Sequence, residues 1–192
     1  MSDIRVYAGV RSPYSRLGMH VLKRAGLKPD VWPFTGPPDG AVFQNPTDNP
    51  LKLAYIMQDA PRLAQRMGLA MTRPKNPDPD FGSSHLAQLA ATRDGVGLGF
   101  ACAIADARWG EGKDVGDLNV LCACADAIGW SAQAVKTAVD DGLANLFDHH
   151  RALIKKDGVF GVPFAVLDTD KRPQKFWGHE RFELLVESVN TG

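Results

Sequence analysis

The pattern of a strand followed by a helix is clearest near the start of the chain, in IRVYAGVRSPYSRLGMHVLKRAG, residues 4–26. The first five residues of this stretch alternate as a strand does, and the turn at 9–13 leads into a helix. Ser12 is a good N-cap, and Pro13 suits the first helical turn because it has no amide proton to lose there. A second apolar run at 31–34 predicts another strand. The chain therefore opens with a β-α-β unit.

Beyond this opening, the pattern becomes helical and then returns to strands. After a Pro-, Gly- and Asn-rich loop, apolar spacing predicts helices at 51–67, 83–109 (strained or broken near three glycines), 117–128, 131–140 and 140–156. Strands follow at 164–167 and 175–177, with a last helix at 180–189. We predict one α/β sheet domain built from 1–49 and 157–192, interrupted by an all-α insertion at 50–156.

Composition narrows the classes of function. The 192 residues carry 22 Lys and Arg against 22 Asp and Glu, so nothing favours nucleic acid or a membrane surface as partner. The three cysteines, at 102, 122 and 124, have neither CxxC nor zinc-type spacing. We expect no metal and a small-molecule substrate. With a strand starting at residue 4 and no long apolar run, we also expect a cytoplasmic protein without a signal peptide.

Five motifs carry a resemblance to a known family. In chain order they are SPYS (12–15), PLKLAY (50–55), WGEGKDV (109–115), GVFGVPF (158–164) and FWGHER (176–181). Their order and spacing over nearly the whole chain resemble the 2-hydroxychromene-2-carboxylate isomerases and kappa-class glutathione transferases. That family lies within the DsbA branch of the thioredoxin superfamily. The resemblance implies a thioredoxin-like fold with a helical insertion, and glutathione as cofactor.

Ser12 is the candidate catalytic residue. Redox members of the superfamily begin their first helix with CxxC, and this chain has Ser12 and Ser15 in place of the cysteines. A hydroxyl at a helix N-terminus can donate to an anion that the helix dipole also favours. The resemblance therefore implies that Ser12 stabilises the thiolate of glutathione, with Pro13 and Tyr14 beside it. Simple capping by Ser12 is the alternative.

The resemblance implies two further contacts for glutathione. The Val162–Pro163 bond is expected to be cis, which would expose the Val162 backbone for strand-like pairing with the ligand. The turn at His179–Glu180 is expected to hold the γ-glutamyl end. Relatives usually have a small polar residue and aspartate at this turn. The bulkier histidine and longer glutamate here put the strength of glutathione binding in doubt.

The remaining candidates face the acceptor or the outer end of glutathione. Lys52 could hold a carboxylate or be simply solvated, and Tyr55 and Trp109 are candidate pocket walls. Asn45 is a candidate contact for glutathione, in a loop whose length differs from that of the relatives. We also expect the adjacent His149 and His150 to lie on the surface.

The favoured function is a glutathione-dependent isomerase acting on an aromatic or unsaturated acid. The alternatives are a kappa-like transferase and a non-catalytic glutathione- or peptide-binding module, and a disulfide oxidoreductase is disfavoured by the missing CxxC. The relatives suggest a homodimer.

Overall fold

The computed structural model describes residues 3–38, 41 and 48–191. The strands are β1 (Ile4–Ala8), β2 (Asp30–Pro33), β3 (Phe164–Leu167) and β4 (Gln174–Trp177). The helices are α1 (Pro13–Arg24), α2 (Pro50–Arg66), α3 (Gly82–Arg93), α4 (Gly97–Trp109), α5 (Leu118–Ala127), α6 (Ala132–Asp141), α7 (Ala144–Asp157) and α8 (Phe182–Thr191). A 3-10 turn, His179–Arg181, leads into α8. No helix in the described ranges is long and apolar enough to cross a membrane.

The four strands form one mixed sheet in the order β2-β1-β3-β4. β1 and β2 are parallel, as a β-α-β crossover requires, and Val6 lies opposite Val31. β1 and β3 are antiparallel, with Val6 opposite Ala165, and β3 and β4 form a hairpin. All strands thus come from the two ends of the chain, while α2–α7 lie between them in sequence.

Both faces of the sheet are covered, which explains why its central strands are almost wholly apolar, with Arg5 of β1 as the charged exception. On one face, Val6 and Ala165 pack in a cluster with Met19 of α1 and Phe182 of α8. On the other face, Tyr7, Trp32 and Val166 pack with Leu89 of α3 and Ile154 of α7. A third cluster, centred on α3–α6, contains Phe100, Leu121, Trp130 and Val135. The sheet is therefore a middle layer between helices.

The predicted break near the glycines of segment 83–109 is present, and the helix boundaries differ from the sequence prediction at two other places. The segment 83–109 is two helices, because α3 ends at Arg93 and Gly95 adopts a positive φ of 77°. α7 begins at Ala144 and not at 140, since Gly142 and Leu143 are both left-handed. The last helix starts as the 3-10 turn and becomes α-helical at Phe182.

The surface prediction for His150 is wrong. Its side chain is fully buried, its Nε2 donates to the Pro33 carbonyl at 2.6 Å, and its ring stacks on Trp32. Burial lowers the pKa of His150 to about 4, against the hydrogen bond to Pro33. His149, its neighbour, is exposed, because consecutive helical residues point in different directions.

A buried ionic network ties the sheet to α7. The Arg5 guanidinium donates to the two carboxylate oxygens of Asp157 at 2.8 and 3.0 Å, and also to Asp168. The Tyr7 hydroxyl donates to Asp157 at 2.6 Å, and Lys175 Nζ of β4 donates to the Asp157 carbonyl at 2.6 Å. The network joins β1, α7 and β4, and β4 leads directly into the turn described below.

Candidate active site

Ser12 caps α1, as the sequence predicts. Its Oγ accepts from the Ser15 amide at 3.3 Å, and its own amide donates to the Gly9 carbonyl at 2.8 Å. The Ser15 hydroxyl in turn accepts from the Gly9 amide at 3.1 Å. The contact with Ser15 uses a lone pair of the Ser12 oxygen and not its proton. The Ser12 hydroxyl can therefore still donate to an anion at the helix N-terminus.

An open cleft of about 470 Å³ lies beside the first turn of α1. Its walls come from α1, α2, the Val162–Pro163 segment and the 3-10 turn. The lining residues are Tyr14, Tyr55, Asp59, Leu63, Val162, Pro163, Trp177, Gly178, His179 and Glu180. Clefts that bind small ligands commonly have volumes of about 300–1,000 Å³. The cleft is large enough for a tripeptide-sized molecule.

Val162 lines the cleft, and its backbone groups have no partner among the described residues. The Val162–Pro163 bond is cis, as expected, and the Gly178 amide donates to the Pro163 carbonyl at 3.0 Å. In the described part of the chain, no hydrogen bond uses the N–H or C=O of Val162 itself. A Cβ on Gly9 would lie 3.1 Å from Val162 Cγ2, so the turn before α1 approaches this segment closely. Val162 can therefore pair with an extended ligand beside the helix N-terminus.

The 3-10 turn holds its side chains by local contacts. The His179 ring stacks on Tyr14 at 5.3 Å, and its Nδ1 lies 3.2 Å from Glu180 Oε2. Burial lowers the pKa of His179, although Glu180 and Asp59 oppose the shift. Glu180 is also paired with Arg181, and its carboxylate lies 2.7 Å from where a Cβ on Gly178 would stand. A ligand's ammonium group at Glu180 would therefore share the carboxylate with His179 and Arg181.

The α2 wall contains the ion pair of Asp59 and Arg62, which their spacing of three residues on one helix predicts, and an unpredicted contact of Asp59 with Tyr14. The Tyr14 hydroxyl donates to Asp59 Oδ2 at 2.7 Å, and Arg62 lies 2.7 Å from Asp59 Oδ1. Burial would raise the pKa of Asp59, but these hydrogen bonds outweigh burial and lower it. The pKa of Tyr14 is raised by burial and by the same bond to Asp59. Tyr55, Asp59 and Leu63 recur every four residues, a spacing that places them on one face of α2.

Other candidates lie outside the set of residues lining the cleft. Ser12 and Pro13 immediately precede Tyr14, which does line it. Lys52 is exposed in the first turn of α2. Trp109 donates through Nε1 to the Val10 carbonyl at 2.9 Å and so supports the turn before Ser12. Asn45 lies outside the described residues, and its contact with glutathione stays a prediction.

An exposed aromatic pair flanks the cleft near Val162. Trp177 is 51% exposed and lines the cleft, and Phe160 lies 4.9 Å from it between ring centroids. Such exposed rings can stack on a planar ligand.

The described site contains no cysteine. Cys102 and Cys124 are buried among the helices, and burial raises the pKa of the Cys102 thiol to about 12. A thiolate for chemistry in the cleft must therefore come from a ligand.

Comparison with known proteins decides the family. The model of the DSBA-like thioredoxin domain matches residues 3–190. The chain belongs to this family. The 2-hydroxychromene-2-carboxylate isomerase of Sphingobium xenophagum is 30% identical over 138 residues, which cover 70% of this chain and 66% of that protein. The match thus spans just under two thirds of that relative's length. The family is one of enzymes, which includes isomerases and DsbA-like oxidoreductases.

Solved structures share the fold. A 2-hydroxychromene-2-carboxylate isomerase superposes with a TM-score of 0.73 at 22% identity, covering 98% of this chain and 94% of that one. The cytosolic disulfide reductase DsbM from Pseudomonas aeruginosa, in a structure with GSH, gives a TM-score of 0.65 at 18% identity, covering 98% and 99%. These identities are low, so the likeness concerns the fold. The predicted thioredoxin-like α/β fold and family resemblance are confirmed.

Proposed function

We propose that this chain binds glutathione in the cleft and uses its thiol to isomerise an aromatic or unsaturated acid of the 2-hydroxychromene-2-carboxylate type. The name of the Sphingobium xenophagum relative supports this reaction class. Ser12 and Ser15 occupy the start of α1, where redox members of the superfamily have two cysteines, so dithiol exchange cannot occur there.

The observation that carries the proposal is the unpaired Val162 backbone in a cleft at the N-terminus of α1. A peptide ligand can pair with this N–H and C=O as a neighbouring strand would. Such pairing places the middle residue of a tripeptide, the cysteine in glutathione, beside Val162. DsbM, which shares the fold, has been solved with GSH.

Ser12 is assigned to the thiol. When bound, glutathione would supply a nucleophilic thiolate for reversible addition to an unsaturated carbon of the substrate. The Ser12 hydroxyl donates a hydrogen bond to the charged sulfur, and the first-turn dipole of α1 favours the same charge. Both interactions are stronger for the thiolate than for the thiol, so they lower the thiol pKa.

The charged residues of the cleft also suit glutathione. Asp59 and Glu180 both line the cleft, and each is paired with an arginine, Arg62 and Arg181 respectively. Glutathione carries one ammonium and two carboxylates, so each of its ends requires an acceptor, a donor, or both. These pairs supply both kinds of group.

The test is calorimetric titration of glutathione into the wild type and Ser12→Ala, with the thiolate of the complex followed by ultraviolet absorbance across pH. One charge-assisted hydrogen bond is worth about 1.5–3 kcal/mol, so its loss should raise the bound thiol pKa by about 1–2 units. Ser131→Ala is the matched control, because Ser131 caps α6 in the same manner outside the cleft. Failure of the wild type to bind millimolar glutathione would refute the proposal.

Activity assays distinguish the proposed isomerase from two other functions. A kappa-like transferase would consume one glutathione per turnover, whereas an isomerase regenerates it. A non-catalytic binding module would bind glutathione without accelerating either reaction. The engagement of Glu180 by Arg181 and His179 is the feature that favours weak binding.

A further inference from the structure

The α2 wall of the cleft holds an arginine in a fixed position at the rim. Arg62 Nε donates to Asp59 Oδ1 at 2.8 Å, and Nη2 donates to the Tyr55 hydroxyl at 3.3 Å. The guanidinium also lies 5.6 Å from the centre of the Tyr55 ring. Asp59 and Tyr55 both line the cleft, so these contacts place the guanidinium at its edge.

Asp59 is itself held from the opposite side. Its Oδ2 accepts from the Tyr14 hydroxyl on α1, and its side chain is only 13% exposed, whereas that of Arg62 is 60% exposed. The carboxylate therefore belongs to the wall, and the guanidinium faces solvent at the rim. This arrangement is more than an ion pair on a helix surface, because a hydrogen bond from a second helix fixes it.

Arg62 retains donors for a ligand. A guanidinium has five N–H groups, and in the described residues no hydrogen bond uses Nη1 of Arg62. A planar guanidinium that is already oriented loses little side-chain freedom when it binds a carboxylate. The Asp59 and Tyr55 contacts thus leave Arg62 suited to an anionic ligand group.

We propose that Arg62 binds a carboxylate of the ligand at this rim, and that Asp59 is the positioning residue that orients it. The inference rests on the proposed function, since it takes the carboxylate to be that of glutathione's glycine or of the acceptor acid. It assigns to Arg62 the role for which the sequence suggested Lys52. Neither Lys52 nor Arg62 is itself a lining residue of the cleft. The guanidinium of Arg62 bonds Asp59 and Tyr55, which do line it, whereas no hydrogen bond of the Lys52 side chain is found in the described residues.

The experiment compares ligands with and without the carboxylate. Calorimetry measures the binding of glutathione and of its glycyl ethyl ester to the wild type, Arg62→Gln and Lys52→Gln. A second arm uses the same three proteins and measures how strongly cinnamate and its methyl ester inhibit the proposed isomerisation. Thermal unfolding of each variant checks that it is folded.

If the carboxylate is glutathione's, esterification should weaken wild-type binding about threefold to fivefold, as expected for one exposed charge-assisted contact. Arg62→Gln should weaken glutathione binding by a similar factor and no longer distinguish it from the ester, while Lys52→Gln behaves as the wild type. If the carboxylate is the acceptor's, the same pattern should appear with cinnamate and its ester.

Asp59→Asn should give an intermediate loss for the free acid and little change for the ester, which a general structural defect would not do. The proposal is overturned if Arg62→Gln discriminates acid from ester as the wild type does in both arms, or if Lys52→Gln alone loses the discrimination. If the wild type binds no glutathione, the proposed function fails and this inference fails with it. If Arg62→Gln binds glutathione and still distinguishes the acid from the ester as the wild type does, the inference is overturned but the proposed function is not.

Discussion

Replacing Asp157 by asparagine removes a negative charge from the buried network that joins β1, α7 and β4. The Asp157 side chain is 4% exposed and accepts from Arg5 and from Tyr7. The substitution keeps the size of the side chain and changes one oxygen into an amide nitrogen. That nitrogen then faces a donor, and Asp168 remains as a charged partner of the buried Arg5.

The magnitude follows from burial. Removing one member of a buried ion pair costs about 3–5 kcal/mol, because the remaining charge stays desolvated. Asp168 still pairs with Arg5, and the asparagine oxygen still accepts one hydrogen bond, so we expect a loss of about 2–3 kcal/mol. Small domains have unfolding free energies of about 5–15 kcal/mol, so this is a large fraction.

Asp168→Asn is the matched control. It removes a charge from the same guanidinium, but the Asp168 side chain is 44% exposed. Solvent screens such a pair, so we expect a loss of about 1 kcal/mol or less.

The assay is urea unfolding of the wild type and both variants at neutral pH, followed by circular dichroism. If the two variants lose equal stability to within about 0.5 kcal/mol, burial of Asp157 does not govern the network and the reasoning is refuted. A difference in the slope of unfolding against urea would instead indicate a changed unfolded state.

Three further predictions can be checked on the same protein. As the pH falls from about 6.5 to 5, the wild type should lose unfolding free energy, because His150 binds a proton in the unfolded state but stays neutral when buried. His150→Gln should remove this loss, which is at most about 1.4 kcal/mol per pH unit. Tyr14→Phe should cost about 1 kcal/mol in urea unfolding and raise the pKa of Asp59 in a carboxyl NMR titration, since it removes a bond that lowers that pKa. The buried Cys102 should resist a thiol reagent in the native protein, while the half-buried Cys122 should react. Mass spectrometry of the labelled peptides measures both, and rapid labelling of Cys102 would contradict its burial.

Local sequence patterns predicted the elements well where the pattern repeats over several turns. The β-α-β opening, the Ser12 cap and the α2 helix agree with the structure to within one or two residues. The pattern was least informative at element ends, where the left-handed Leu143 and the 3-10 turn at His179 depend on neighbours.

The order of strands and helices and the cap of α1 could therefore be predicted from residues close together in the chain, and the cis bond at Pro163 from the family resemblance. Contacts between distant residues could not be predicted in this way. Asp59 meets Tyr14, His179 stacks on Tyr14, and His150 is buried because of how the elements pack. Helical periodicity shows which residues share a face, but not which other helix covers that face. That choice depends on packing across the whole chain, and it determines which side chains line the cleft.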